Sequence, residues 1–196
     1  MLKRKLLLTS LALAALVGIS ACSETKSTNT VDVSNPSTAI QNITSNVSGF
    51  KVGNDLAQKS VVVFFDAQCP HCKHLWENVQ PLVKENKVKF VWVPVGLLSR
   101  ASFTQGAAIL SDKDPVAKMI EHENMFNPQA QQMGLTATDI TPEMQKTIEK
   151  NTAIARSLMN SENQGVPLIV GRSAKTGEVW VKSGAISADE LVGRLN

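Results

Sequence analysis

Phe64-Phe65-Asp66-Ala67-Gln68-Cys69-Pro70-His71-Cys72 is the stretch from which the rest of this chain can be read. The run Val61–Phe65 has the length and the β-branched, aromatic character of a buried strand. From Pro70 to Glu85 the spacing becomes helical, with Leu75, Trp76, Val79, Leu82 and Val83 on one face and Pro81 in the interior. Pro70 suits a first helical turn, where its missing N–H would be unpaired anyway. Cys69 therefore stands at the mouth of the helix, where free backbone N–H groups and the positive dipole end favour a thiolate. Cys72 follows one turn further in. Two cysteines so spaced at a strand–helix junction read as a redox-active pair. Cys69 is then the nucleophile, Cys72 the resolving thiol, and a Cys69–Cys72 disulfide the oxidised form.

The flanks support that frame. Val88–Val95 is a second apolar strand, so a strand, a helix and a strand follow within about 35 residues, a βαβ unit with parallel pairing. Upstream, Phe50-Lys51-Val52 reads as an edge strand, and Ala39–Val47 as a short helix on the spacing of Ile40, Ile43 and Val47. Downstream, helices are expected over Ala101–Leu110, from Asp114-Pro115 to Phe126, and from Thr141-Pro142 through Met159. Asn127–Asp139 reads as polar and irregular. Strand character returns in Gly165–Val170, with Pro167 near its start, and Val179–Val181 is its hairpin partner across Lys175-Thr176-Gly177. Ser187-Ala188-Asp189-Glu190 is a capping box that opens a last helix.

With 196 residues, 43% hydrophobic and 19% charged, the chain can bury a core and suits one domain with appendages. Residues 1–21 have a basic start at Lys3-Arg4-Lys5, an apolar run Leu6–Val17 and a small-residue end before Cys22, the pattern of a signal peptide. The apolar run is shorter than the ~20 residues of a membrane span. Removing those three cations from the twenty basic side chains leaves seventeen against seventeen acidic ones. A mature chain without net charge gives no electrostatic reason to expect nucleic acid as a partner. Ser23 to about Thr38 is polar, and residues 22–49 read as a flexible tether.

Two resemblances add to this reading. Ile19-Ser20-Ala21-Cys22 resembles the lipobox of bacterial lipoproteins, which implies lipidation at Cys22. It also implies a periplasmic location, with Ser23 in place of an aspartate pointing to the outer membrane. Cys69-Pro70-His71-Cys72, with Val166-Pro167 downstream, resembles the bacterial Dsb proteins, periplasmic thiol–disulfide oxidoreductases. The order β–α–β, helices, β–β–α then implies a thioredoxin-like α/β fold over residues 50–196, a central mixed sheet flanked by helices, with a helical insertion at about 100–160. It implies a cis bond at Val166–Pro167 opposite the pair, with Pro70, His71, Asp66, Val166 and Pro167 as supporting residues. The body, including Asp66, Lys73 and Ala108–Pro115, is similar to the catalytic domain of the DsbG and DsbC branch, whereas the Pro-His dipeptide and Val166 match the DsbA branch. Ser23–Asn54 is too short and polar for the dimerisation domain of the former branch, so a monomer is expected. The implied partners are substrate proteins with thiols or disulfides, a Dsb-type membrane redox partner, and the membrane through the lipid anchor.

Three alternatives stay open at this point. Within the same chemistry, body and dipeptide point to different directions of exchange: an oxidase, or a reductase or isomerase kept reduced by a membrane donor. Asp66 reads equally as a proton-handling group or a capping one. From another class, a zinc or copper module would use the pair with His71, His74 or His122. No second ligand cluster accompanies them and a closed site wants four ligands, so neither metal nor cofactor is expected. A non-catalytic binder is the third alternative.

Overall fold

The computed structural model describes residues 30–137 and 139–196; the leader and Cys22 lie outside the described residues. Strand β2, Lys59–Phe65, runs through the middle of a five-stranded sheet. Its parallel neighbour is β3, Val88–Pro94, reached through helix α2, Pro70–Lys84, as the βαβ reading expects. Edge strand β1, Phe50–Val52, pairs antiparallel with β3. On the other side, β6, Leu168–Arg172, pairs antiparallel with β2, and β7, Val179–Ser183, pairs antiparallel with β6.

Every side chain from Val61 to Phe65 is buried, because both faces of β2 are covered. Val61, Val63 and Phe65 pack into one core with Leu75, Trp76, Val79 and Leu82 of α2 and with Leu191 and Leu195 of α6, Ala188–Leu195. Val62 and Phe64 face a second core built on Ile43, Ile154, Ala155 and Leu158. Burying such side chains is worth roughly 1.5–3 kcal/mol each, which explains why a strand buried on both faces reads as a continuous apolar run rather than an alternating one. Helix α2 ends in a Schellman turn. Asn86 takes the left-handed conformation at φ 56°, while Lys87 N–H reaches the Leu82 carbonyl and Asn86 N–H that of Val83.

The insertion is helical, as expected. Helices α3, Arg100–Ser111, and α4, Pro115–Met125, add Ile109 and Met119 to the first core, while α5, Pro142–Leu158, covers the second. Asp114 and Thr141 cap α4 and α5 with their side chains. At α6, Ser187 Oγ accepts from Glu190 N–H at 3.1 Å, but the Glu190 carboxylate pairs with Arg194 at 2.9 Å.

Three expectations need correction. Residues 22–49 are not a flexible tether throughout. Helix α1, Ala39–Asn46, buries Ala39 and Ile43 completely, and Val31 and Val33 pack against the same core. Asn151 of α5 then clasps residue 48, accepting from Ser48 N–H at 2.9 Å and donating to its carbonyl at 2.8 Å. Asn127–Asp139 is not wholly irregular: β4, Phe126–Asn127, and β5, Gln132–Met133, form a small antiparallel hairpin around a single 3₁₀ turn. The strand expected over Gly165–Val170 begins later, at Leu168, so that Gly165-Val166-Pro167 is a loop entering it.

Candidate active site

Cys69 is the N-cap of α2, in extended conformation, with Pro70 at the first helical position. Its N–H reaches the Asp66 carbonyl at 3.0 Å, and its own carbonyl takes the first helical bond from Cys72 N–H at 3.0 Å. The turn is thus closed on both sides of the cysteine. Both thiols are free and buried; Cys69 is 6% and Cys72 1% exposed, while Pro70 and His71 stand out in solvent.

The loop before β6 comes to meet the pair. The Val166–Pro167 bond is cis, as expected. Cys69 Sγ lies 3.4 Å from the Val166 carbonyl oxygen, and Asp66 N–H points to Cys72 Sγ at 3.4 Å. The Cys69 thiol is lowered from its ordinary range to about 7. The Cys72 thiol's hydrogen bond contributes most, the backbone N–H groups of Cys72 and His71 add to it, and burial and the charge of Asp66 oppose it. His71 therefore acts here through its main chain at the helix mouth. Burial, followed by the hydrogen bond and charge of Cys69, pushes the Cys72 thiol well up. One sulfur is prepared as a thiolate and its neighbour as a proton-bearing thiol.

Asp66 is completely buried and holds backbone. Oδ1 accepts from Gln68 N–H at 2.9 Å, and Oδ2 from Leu97 and Leu98 N–H at 2.8 and 3.0 Å. These three bonds show the capping arrangement, and they tie the active-site turn to the loop after β3.

The insertion grips the same turn from the other side, through residues that sequence reasoning did not assign to the site. Gln68 donates to Gln105 Oε1 of α3 at 2.5 Å and to the Met133 carbonyl at 2.9 Å. Gln105 donates in turn to the carbonyls of Met133 and Leu135, each at 2.7 Å. His122 of α4 is fully buried, with Nε2 2.9 Å from the Ala67 carbonyl and Nδ1 accepting from Leu135 N–H at 3.3 Å. That pattern needs a neutral ring protonated on Nε2. Gly134, at φ 79°, lies flat against the imidazole, where a Cβ would collide with the ring. A helical sequence marks His122 and Gln105 only as polar positions; that they converge on Ala67-Gln68 is tertiary information. His122 lies among backbone groups, apart from the solvent-facing His71 and His74. Among the described residues no three His, Cys, Asp or Glu side chains come together as a metal site.

Beside α2, Lys73 bonds the Glu123 main-chain carbonyl and pairs with the carboxylates of Glu77 at 3.5 Å and Glu123 at 3.8 Å. Glu123 is 6% exposed and its Oε2 has no hydrogen-bond donor. Burial raises its carboxyl to about 7 against the pull of Lys73.

A groove of about 650 Å³ opens at Cys69. Leu97 and Leu98 form one wall, Arg156, Met159 and Asn160 of the α5 end another, and Gly165-Val166 the third. Leu98 is 56% exposed on its rim.

These features define a thioredoxin-like α/β fold with a helical insertion and a Cys-x-x-Cys pair at the first strand–helix junction. Comparison with known proteins agrees. Residues 60–138 match the DSBA-like thioredoxin domain. Over 67 residues the chain is 36% identical to the thiol:disulfide interchange protein DsbG of Pseudomonas aeruginosa, an alignment covering 34% of this chain and 26% of that protein. The chain thus matches about a quarter of that relative's length. Among solved structures, the catalytic domain of Proteus mirabilis ScsC superposes with a TM-score of 0.60 at 20% identity, over 82% of this chain and 94% of that one. The thiol-disulfide exchange protein alpha-DsbA2 of Wolbachia pipientis gives 0.57 at 17%, over 82% and 92%. At such identities the structures speak for the fold.

Proposed function

We propose that this chain is a periplasmic protein thiol–disulfide oxidoreductase, working through Cys69 and Cys72 and held at the membrane by lipid on Cys22. The observation that carries the reading is the unequal pair: Cys69 lowered to about 7 at a helix mouth, beside a buried Cys72 pushed the other way. In the reducing direction, the Cys69 thiolate attacks a substrate disulfide, forms a mixed disulfide and releases one substrate thiolate. Cys72 then attacks Cys69 Sγ, closing the Cys69–Cys72 disulfide and releasing the second substrate thiol; Cys72 must give up its proton for that step. The oxidising direction is the same sequence reversed. Val166 next to Cys69 offers main-chain groups to an extended substrate segment. Pro70, His71, Asp66 and Pro167 shape the turn and its facing loop.

Replacing Cys72 with alanine removes the resolving step. Cys72→Ala should accumulate mixed disulfides to periplasmic proteins, all lost when Cys69→Ser is added; no adducts would sink the reading. As for direction, a thiol near 7 stands closer to thioredoxin, also about 7, than to a strong oxidant such as DsbA at about 3.5. That favours the reductase or isomerase alternative, supplied with electrons by a Dsb-type membrane donor. Alkylation of the pair in intact cells separates the two, since a pair found mostly oxidised would reverse this assignment. The chain is proposed to act as a monomer, and at the outer membrane on the strength of Ser23.

A further inference from the structure

Five apolar side chains line the groove at Cys69, namely Pro70, Leu97, Leu98, Met159 and Val166, and no carboxylate lines it. Arg156 is the one lysine or arginine there. Arg156 lies in the last turn of α5, and Met159 and Asn160 follow where the chain leaves the helix, so that the three line the groove together. The guanidinium takes no hydrogen bond or ion pair among the described residues, whereas Lys73, Lys118 and Arg194 are each paired with a carboxylate. A cation in the last turn of a helix complements the dipole from any face. Only the groove face puts it beside a passing substrate.

We infer that Arg156 selects substrates by charge: the groove takes an extended polypeptide segment with apolar side chains and an aspartate or glutamate flanking the reacting cysteine. This rests on the proposed exchange function and adds its specificity. The apolar walls supply contact area without regard to sequence. An unneutralised guanidinium favours an acidic neighbour and repels a basic one, and the same charge attracts acidic segments before contact.

The test uses the full chain carrying Cys72→Ala, so that exchange stops at the mixed disulfide. Short peptides of one apolar sequence, with aspartate, asparagine or lysine beside a cysteine, are supplied as disulfides with thionitrobenzoate. The Cys69 thiolate attacks the peptide sulfur, one S–S bond breaks as another forms, and thionitrobenzoate leaves with the electron pair, giving a colour. The acidic peptide should react about two- to fivefold faster than the neutral one, the range an exposed ion pair supports, and the basic peptide more slowly. The ratio should shrink towards one as salt is added. Arg156→Gln should flatten the order and Arg156→Glu invert it. A purely dipole-related arginine would change helix stability in those variants but leave the order alone. Equal rates for the three peptides overturn the inference. So does an order that survives both substitutions, or one that vanishes in His71→Asn while surviving Arg156→Gln. If no peptide forms an adduct through Cys69, the exchange reading falls first and the selection with it.

Discussion

The Cys69 sulfur and the Val166 carbonyl oxygen meet at 3.4 Å across 97 residues of sequence. One is the last residue before a helix, the other the last before the proline that leads into β6. The contact joins the two halves of the fold at the place where a substrate must reach the sulfur. It also explains why Cys69 is 6% exposed and still lines an open groove.

Alkylation of the reduced protein should report the asymmetry of the pair. Modification of Cys69 by iodoacetamide should rise with pH around a midpoint of about 7, while Cys72 stays unmodified. Because the folded value lies below the ordinary thiol value of 9.0, the reduced protein gains stability as pH rises from about 7 towards 9, and loses that gain as pH falls through 7. Cys69→Ser should remove this gain. A midpoint for Cys69 near an ordinary thiol would contradict the arrangement.

Much of this site could be read in advance, and the reasons are physical. The passage from Val61–Phe65 to Pro70–Lys84 changes period sharply, so both the junction and the cysteine at its mouth are local facts. Val166 and Pro167 entered only through resemblance, since nothing local tells a proline which cysteine it will face. The grip of Gln105 and His122 on Ala67-Gln68 was not legible, because the Gln68 amide and the Ala67 carbonyl meet them only through the fold. Nor was the hairpin of β4 and β5, whose strands of two residues carry no period. The packing of α1 was half visible: the spacing of Ile40 and Ile43 suggested a helix, but not that Ile43 would be sealed against β2 and β6 in the second core.

Asp66 offers a prediction with two readouts of opposite benefit. Asp66→Asn keeps the shape but cannot accept on both oxygens, which leaves an N–H of Gln68, Leu97 or Leu98 without its partner. Chemical denaturation should show a loss of roughly 1–3 kcal/mol. Its negative charge opposes the Cys69 thiolate, so the alkylation midpoint of the same variant should fall below that of the wild type. A midpoint that rises would show that the turn itself had been lost.

His122 should make the insertion sensitive to acid. Its Nδ1 already accepts from Leu135 N–H, so a second ring proton would set two donors against each other. Burial holds the ring below its ordinary value of 6.5. The unfolded chain then takes up a proton that the folded chain refuses, and this contribution to stability is lost as pH falls through about 6.5. His122→Gln, with an amide that can both donate and accept, should be less stable at pH 7.5 and should gain stability from pH 7.5 to 5, because the opposite slope of Glu123 is then left alone. A variant whose stability follows pH just as the wild type's does would place the acid response elsewhere.

Glu123, the next residue, works in the opposite sense over the same range. Burial raises its carboxyl from 4.5 to about 7, so the folded chain holds a proton that the unfolded chain has released. Its contribution is therefore fully present below about 4.5 and lost as pH rises to about 7. The two residues partly cancel between those limits, and wild-type stability should change little there. Glu123→Gln removes one side of the balance. It should be more stable than wild type at pH 7.5, because no carboxylate has to be buried, although Lys73 keeps only Glu77 as its anionic partner. Between pH 5 and 7 its stability should climb with the slope that His122 alone supplies. Adding His122→Gln to Glu123→Gln should abolish that climb; if it persists, the titrating group is neither of them.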